Sequence, residues 1–585
     1  MAIVEIKIED CDTGEYVLFP GCCYNGNRFR ALKKVYPPMF DPEDFNIDTE
    51  TAITDVPRLK PDGSGYIEVT TGDVSVPCVA VFIPAKNQAV LVHTVQSLRG
   101  RNIGLGYERG KVTLSYPARR FVKYVWPRMR PNNELWEDIE VEIPYKVLTQ
   151  ECDSMEAFYE FFYRNRKIMS LNDSLPRVPK REEQISVHLE KYNALNWYEE
   201  QGFYGSDVDG GGRIAWSTGW IGGGISSYPM MKLGGDLEYE RGIRTLEYLF
   251  KLQGLSGLFA AQTTADGHIV HDGFGAEGTQ GFTLVRRSAD VLYYLFKHFS
   301  LIDEIPGQFV EGARRCADAF VTLFETYGQL GQFADFDTGE IRVGGSAAGT
   351  LAPAGLVDAY LFFGDSHYLQ TAENIGQYFR EQFLKKGYTT GGPAEILQCP
   401  DSESAFALLE SYVRLYDATR NREWLNSAEF AAHLCSTWVV PYNYEFPEGS
   451  EFRRLDMKSV GTVFANIQNK HSAPGICTLS GSSLHELYEF TGNPRYLELY
   501  TELTSTVGQY MSTEQRPIFS WTVPKDSTVH GSNDIEVPPE KLPPGYICER
   551  VNMSDWETQK CVGGVFNGSC WSEVSNMLIL ADPNG

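Results

Sequence analysis

The clearest pattern of apolar and polar positions runs from Cys399 to Cys435. Phe406, Leu409, Val413, Leu415 and Tyr416 recur at helical spacing, which gives one broad apolar face. Thr419-Arg420-Asn421-Arg422 interrupts the pattern, and Trp424, Leu425, Ala428, Phe430 and Ala431 open a second face. Two helices on a short turn form an αα-hairpin, which cannot bury its own apolar face and must stack on neighbours. The layout recurs at Leu356–Phe379 and Leu484–Tyr510, with a Gly-containing turn before an aromatic-Leu pair, Tyr368-Leu369 or Tyr496-Leu497. Leu233–Leu252 and Asp290–Leu323 carry looser copies. A repeat of roughly 55–75 residues built from helix pairs predicts a stacked array.

The first part of the chain has a different period. Gly65–Pro84, Ala89–Gln96, Lys111–Ala118 and Asp138–Leu148 are β-branched, often alternating runs bounded by turns such as Lys86-Asn87 and Arg109-Gly110. They predict an antiparallel β-sandwich over residues 1–150. Ser154–Met169 predicts an aromatic-rich helix packed between the two parts, and Leu171–Lys180 a connector, so 151–180 is a helical linker. Residues 181–585 hold twelve helical segments. They are Ile185–Glu200, then five hairpins beginning near Trp216, Ser288, Ser346, Ser402 and Pro474, and finally Trp571–Leu580. Pairing the first segment with the last closes a ring. The expected fold is mostly α, an (α/α)6 toroid of six helical hairpins preceded by the β-sandwich.

Over roughly Ile185 to Leu580, the repeat layout and the Gly- and aromatic-rich loops between hairpins resemble the six-hairpin glycosidase superfamily. The β part matches it in architecture only. That resemblance implies a carbohydrate-active enzyme, since its members are mostly glycoside hydrolases, often inverting, with polysaccharide lyases and sugar isomerases among toroid relatives. Fold alone does not choose between them.

Charge and cysteines narrow the partners. A net charge of −25 over 585 residues argues against nucleic acid and anionic membranes. No run of about 18 apolar residues predicts a membrane span. The N-terminal MAIVEIKIEDCDTGEY has neither a basic region nor an apolar core of a secretory signal. Twelve scattered cysteines, among them Cys316 and Cys435 on apolar helix faces, predict unbridged thiols and a cytoplasmic protein. No CxxC or HExxH occurs, so no metal or cofactor is expected. An oligosaccharide substrate is the expected partner, with self-association left open.

The candidate chemistry lies in loops far longer than the roughly 2–8 residues a helix connection needs. Gly202–Trp220 offers Asp209 beside three glycines, with Trp216 and Trp220 as flat faces for sugars. Ala265–Phe282 offers Glu277 between two glycines, followed by Arg286 and Arg287, which suit either an acidic sugar or Asp290. Gly391–Ser404 ends in Asp401 and Glu403 at a helix start, where capping competes with catalysis, and has Glu395 just upstream. Arg454–Pro474 gathers Asn469 and His471, and Cys548–Glu557 adds Glu549, Arg550, Asp555 and Trp556.

A glycosidase needs one protonated carboxyl and one carboxylate. The leading expectation is therefore a hydrolase of short oligosaccharides, with Asp401 or Glu403 as one partner, Glu277 in the pool, and an acidic, aromatic-lined cavity. The alternatives are a uronate lyase, with His471 or a tyrosine as base and Asn469 and Arg550 nearby, and a non-enzymatic glycan-binding protein.

Overall fold

The computed structural model describes residues 2–582 except 10, 12–13, 33–41, 55, 119–140, 207–213, 274, 396, 470, 522–537, 555–561 and 566–568.

The N-terminal part contains two four-stranded antiparallel sheets. One runs in the order Ala2–Lys7, Lys111–Tyr116, Gly104–Glu108, Tyr66–Thr70; the other runs Tyr145–Glu151, Gln88–Thr94, Cys78–Ile83, Tyr16–Leu18. Ile67, Val69, Leu105 and Leu114 of the first share one buried apolar cluster with Val79, Val81, Val90 and Val92 of the second. Cys78, Ala80, Phe82 and Leu91 point the other way and join the helical core. The period of two thus sends alternate residues of Cys78–Ile83 into two different cores, which is why this strand is apolar throughout. Ala2–Lys7, Tyr16–Leu18 and Gly104–Glu108 are strands that the sequence pattern did not single out.

Helix α1 (Met155–Asn165) starts at the Ser154 cap and packs between the parts, as its aromatic run predicts. Phe158 stacks on Phe82, and Tyr163 stacks on His433 and Tyr496. The remaining helices are α2 (Arg181–Lys191), α3 (Ser227–Leu233), α4 (Asp236–Lys251), α5 (Val285–Phe299), α6 (Gly307–Tyr327), α7 (Ala352–Phe363), α8 (Ser366–Gln382), α9 (Ser402–Thr419), α10 (Arg422–Ser436), the single turn α11 (Glu451–Arg454), α12 (Ser482–Thr491), α13 (Pro494–Thr504) and α14 (Trp571–Ala581).

Helix α3 packs on α5, α5 on α7, α7 on α9, α9 on α12, and α14 on both α3 and α2. The circuit closes. Asn576 Nδ2 donates to Gln184 Oε1 at 3.0 Å and bonds His188 Nε2 at 2.9 Å, and Lys191 pairs with Glu573. Helices α5, α9 and α14 are buried nearly all round, as an inner helix of such a circuit must be, whereas α4 and α8 bury only one stripe. At the hairpin of Cys399–Cys435, Arg420 takes φ +54° and Asn421 accepts from the Glu423 N–H, so the turn both stops one helix and caps the next. No described helix is long and apolar enough to cross a membrane.

From α2 onward, every long connection (192–226, 252–284, 328–351, 383–401, 437–481 and 505–570) leads into an inner helix, and every short one leads into an outer helix. The long connections therefore gather at one end. The N-terminal part docks on them. Tyr24 stacks on Trp438 at 4.5 Å, its hydroxyl bonds Thr437 Oγ1 at 2.7 Å, and Thr54 N–H donates to Gln468 Oε1 at 2.9 Å.

Candidate active site

At the loop end, α9 begins where Asp401 pairs with Asn466 in an antiparallel bridge, so two of the long connections are tied together at the helix mouth. Asp401 Oδ1 accepts from Ser404 N–H at 2.7 Å and from its hydroxyl at 2.9 Å, and Oδ2 accepts from Gly392 N–H at 3.0 Å. The backbone must come close here, because a Cβ on Gly392 would sit 2.5 Å from Asp401 Oδ1. Burial, then the Glu403 charge, raises the Asp401 carboxyl to about 7. The side chain is fully enclosed with both oxygens occupied, so Asp401 serves as the helix cap.

Glu403, in the first turn of α9, has different partners. Trp220 Nε1–H donates to its Oε2 at 2.7 Å, and Arg286 donates to the same oxygen in a buried ion pair. Oε1 takes part in neither bond. Arg286 also reaches Cys477 O at 3.2 Å and Thr478 Oγ1 at 3.3 Å, and its Nε lies 3.3 Å from Asp290 Oδ2. Burial raises Asp290 to about 6 against the pull of Arg286, and the Glu403 charge adds to the rise.

Glu395 lies in the same field. Its Oε1 accepts from Asn469 Nδ2 at 3.2 Å, while Oε2 is enclosed without a hydrogen-bond partner among the described residues. Burial, then Glu403, pushes this carboxyl up to about 8, and Glu549 contributes. Glu549, raised chiefly by burial, accepts from Ser569 N–H at 2.7 Å. His471 is enclosed with Nδ1 3.1 Å from Ser472 O, and burial followed by the Arg550 charge holds it well below its ordinary value.

The structure thus brings Trp220, Asp401, Glu403, Asn469, His471, Glu549 and Arg550 into one cluster. Trp216 and Glu277 require correction. Trp216 is sealed between Phe203 and Tyr248, with Nε1–H spent on Thr218 Oγ1, so neither face is open to a sugar. Glu277 is an exposed loop residue outside the cluster. Asp209, Asp555 and Trp556 lie outside the described residues. Arg287 turns away from its neighbour, holding Asp272 through two bonds of 2.9 and 2.8 Å and Ser217 Oγ at 2.7 Å. Glu395 is the residue underrated by the sequence reading. The only signal was its place eight residues before Glu403.

No protein-family model matches the chain, and no curated protein matches it in sequence. Among solved structures, it is similar to a family 76 glycoside hydrolase, an alpha-mannanase of Bacteroides thetaiotaomicron (12% identity, 68% of this chain and 93% of that one, TM-score 0.40). It is also similar to a D-mannose isomerase (11%, 69% and 98%, TM-score 0.43) and to a polysaccharide lyase (9%, 85% and 63%, TM-score 0.44). At such identities and scores the likeness carries no activity over to this chain.

Proposed function

We propose that the protein is a glycoside hydrolase acting on short oligosaccharides at the loop end of an (α/α)6 toroid, with the two N-terminal sheets forming a β-sandwich that buttresses the site loops. The observation that carries this reading is the pairing of two unlike carboxyl groups in one enclosed cluster. Glu395 is raised to about 8 and therefore protonated at neutral pH, while Glu403 is ion-paired with Arg286. Glycosidic cleavage needs that asymmetry: one carboxylic acid to protonate the leaving oxygen and one carboxylate to activate water or meet the anomeric carbon. We assign the acid to Glu395 and the base or nucleophile to Glu403 through its unoccupied Oε1. Asp401 holds the helix mouth, and Trp220 and Asn469 orient the two glutamates. Glu549 and Arg550 lie beside them as candidate sugar contacts.

The test is release of reducing ends from a panel of neutral oligosaccharides by wild type, Glu395→Gln and Glu403→Gln. Loss in both variants supports the assignment, and full activity in both overturns it.

His471 favours one second reading. A neutral imidazole beside Arg550 suits a lyase, in which Nε2 takes the C5 proton of a uronate and Arg550 neutralises its carboxylate. An unsaturated product absorbing in the ultraviolet would select this reading over hydrolysis.

A further inference from the structure

A cavity of about 270 Å³ lies away from the carboxylate cluster, at the seam between the second N-terminal sheet, the segment after α1 and the 442–458 loop. It approaches the size of small-molecule pockets, which start near 300 Å³. Its lining is amphipathic. Tyr442, Tyr444, Phe446 and Met457 supply apolar wall, and His93, Ser97, Asn172 and Glu445 supply polar atoms. Leu171, 82% exposed, is also part of the lining, so the cavity reaches solvent.

Two observations point to a ligand and to its kind. His93 is 1% exposed and lines the cavity, yet its Nε2 has no hydrogen-bond partner among the described residues. Burial, then Lys146, lowers this imidazole to about 4, so it is neutral and can exchange a hydrogen bond with a hydroxyl group. An enclosed polar atom without a partner is destabilising, and a bound hydroxyl would relieve that cost.

The second observation is charge balance. Arg166 pairs with Glu502 and Lys458 with Asp456, and the remaining Glu445 and Arg453 offset one another. Nothing is left to select an ion. Glu445 is already set by Ser97 Oγ–H at 2.8 Å and, through its own N–H, by Gln96 at 3.1 Å, so its carboxylate is a fixed acceptor for hydroxyl donors.

We propose that this cavity is a second, non-catalytic binding site for a neutral sugar ring, whose C–H face meets the apolar wall while its hydroxyls meet His93 and Glu445. The proposal does not depend on which reaction the ring performs. It also gives the seam a role, because a ligand held there would bridge the sheet and the 442–458 loop.

The experiment is isothermal titration of the full chain with glucose, galactose, mannose, xylose and their methyl glycosides, with turnover measured in parallel. Ser97→Trp fills the cavity from a half-buried position, and His93→Phe removes the free ring nitrogen. A binding component lost in Ser97→Trp and weakened about tenfold in His93→Phe, with turnover unchanged, supports the site. Absence of binding by every sugar, or binding unaltered in Ser97→Trp, overturns it. If His93→Phe fails to fold, the Ser97→Trp result decides alone.

Discussion

The two ends of the helical ring are made by the same helices and crowd carboxylates alike, yet they hold those carboxylates differently. At the loop end, Glu395, Asp401 and Glu403 share a field with Arg286, Trp220 and Asn469. Towards the short-turn end, a second cavity of about 280 Å³ is lined by Tyr293, Lys297, Glu410, Glu486 and Asp582. Burial, then Glu410, raises Glu486 there to about 7. A raised carboxyl is thus not the mark of the site. The difference lies in oriented donors: two N–H groups converge on one oxygen of Glu403, whereas Glu486 has Arg414 and Lys297 only as nearby charges.

The largest effect should separate the ends directly. Glu403→Gln is expected to lower kcat by about a thousandfold, and Glu486→Gln to change it by no more than about twofold. Equal losses would dissolve the comparison.

Next in size is the cost of breaking a buried ion pair behind the site. Arg287→Met leaves Asp272 enclosed and unpaired, and urea unfolding should report a loss of about 3 kcal/mol.

The pH dependence sharpens the comparison further. With Glu395 raised to about 8, kcat should fall as pH rises through that region, because the acid loses its proton. Stability follows the same sign. Below the ordinary carboxyl value of 4.5 both folded and unfolded chains carry the proton, and between 4.5 and about 8 only the folded chain keeps it. Stability contributed by the neutral buried form is therefore full at low pH and lost across that window. Glu395→Gln should flatten the decline measured by denaturation between those limits.

The smallest effect concerns the cap. Asp401→Ala should cost about 1 kcal/mol of stability while leaving kcat within about threefold. A thousandfold loss of kcat would return Asp401 to the catalytic pair.

How much of this was legible in the sequence follows from the range of each interaction. The αα-hairpins were legible because helical periodicity is local, and the turn at Arg420-Asn421 carries its own stop and cap. Glu403 was legible as one of two helix-mouth carboxylates. Its distinction from Asp401 was not, because it depends on Trp220 and Arg286, which are 183 and 117 residues away in the chain. Glu395 acquires its character from burial and from Glu403, Asn469 and Glu549, one on α9 and two on different connections. Trp216 misled for the opposite reason. A tryptophan in a Gly-rich loop suggests a ligand platform, and only the packing of Phe203 and Tyr248 around it shows that it is structural.

The strand Cys78–Ile83, whose residues alternate between two cores, bears on how the chain is made. During synthesis the sheet that contains it emerges before any ring helix, with Cys78, Ala80 and Phe82 still uncovered. It must then wait for α1, whose Phe158 stacks on Phe82 and which packs on α10, so the N-terminal sheets are a nascent template rather than a finished module. A chain cut near residue 150 would leave the same face permanently wet in one fragment and its complement wet in the other. The two fragments, made separately, should be sticky, and made together they should find each other.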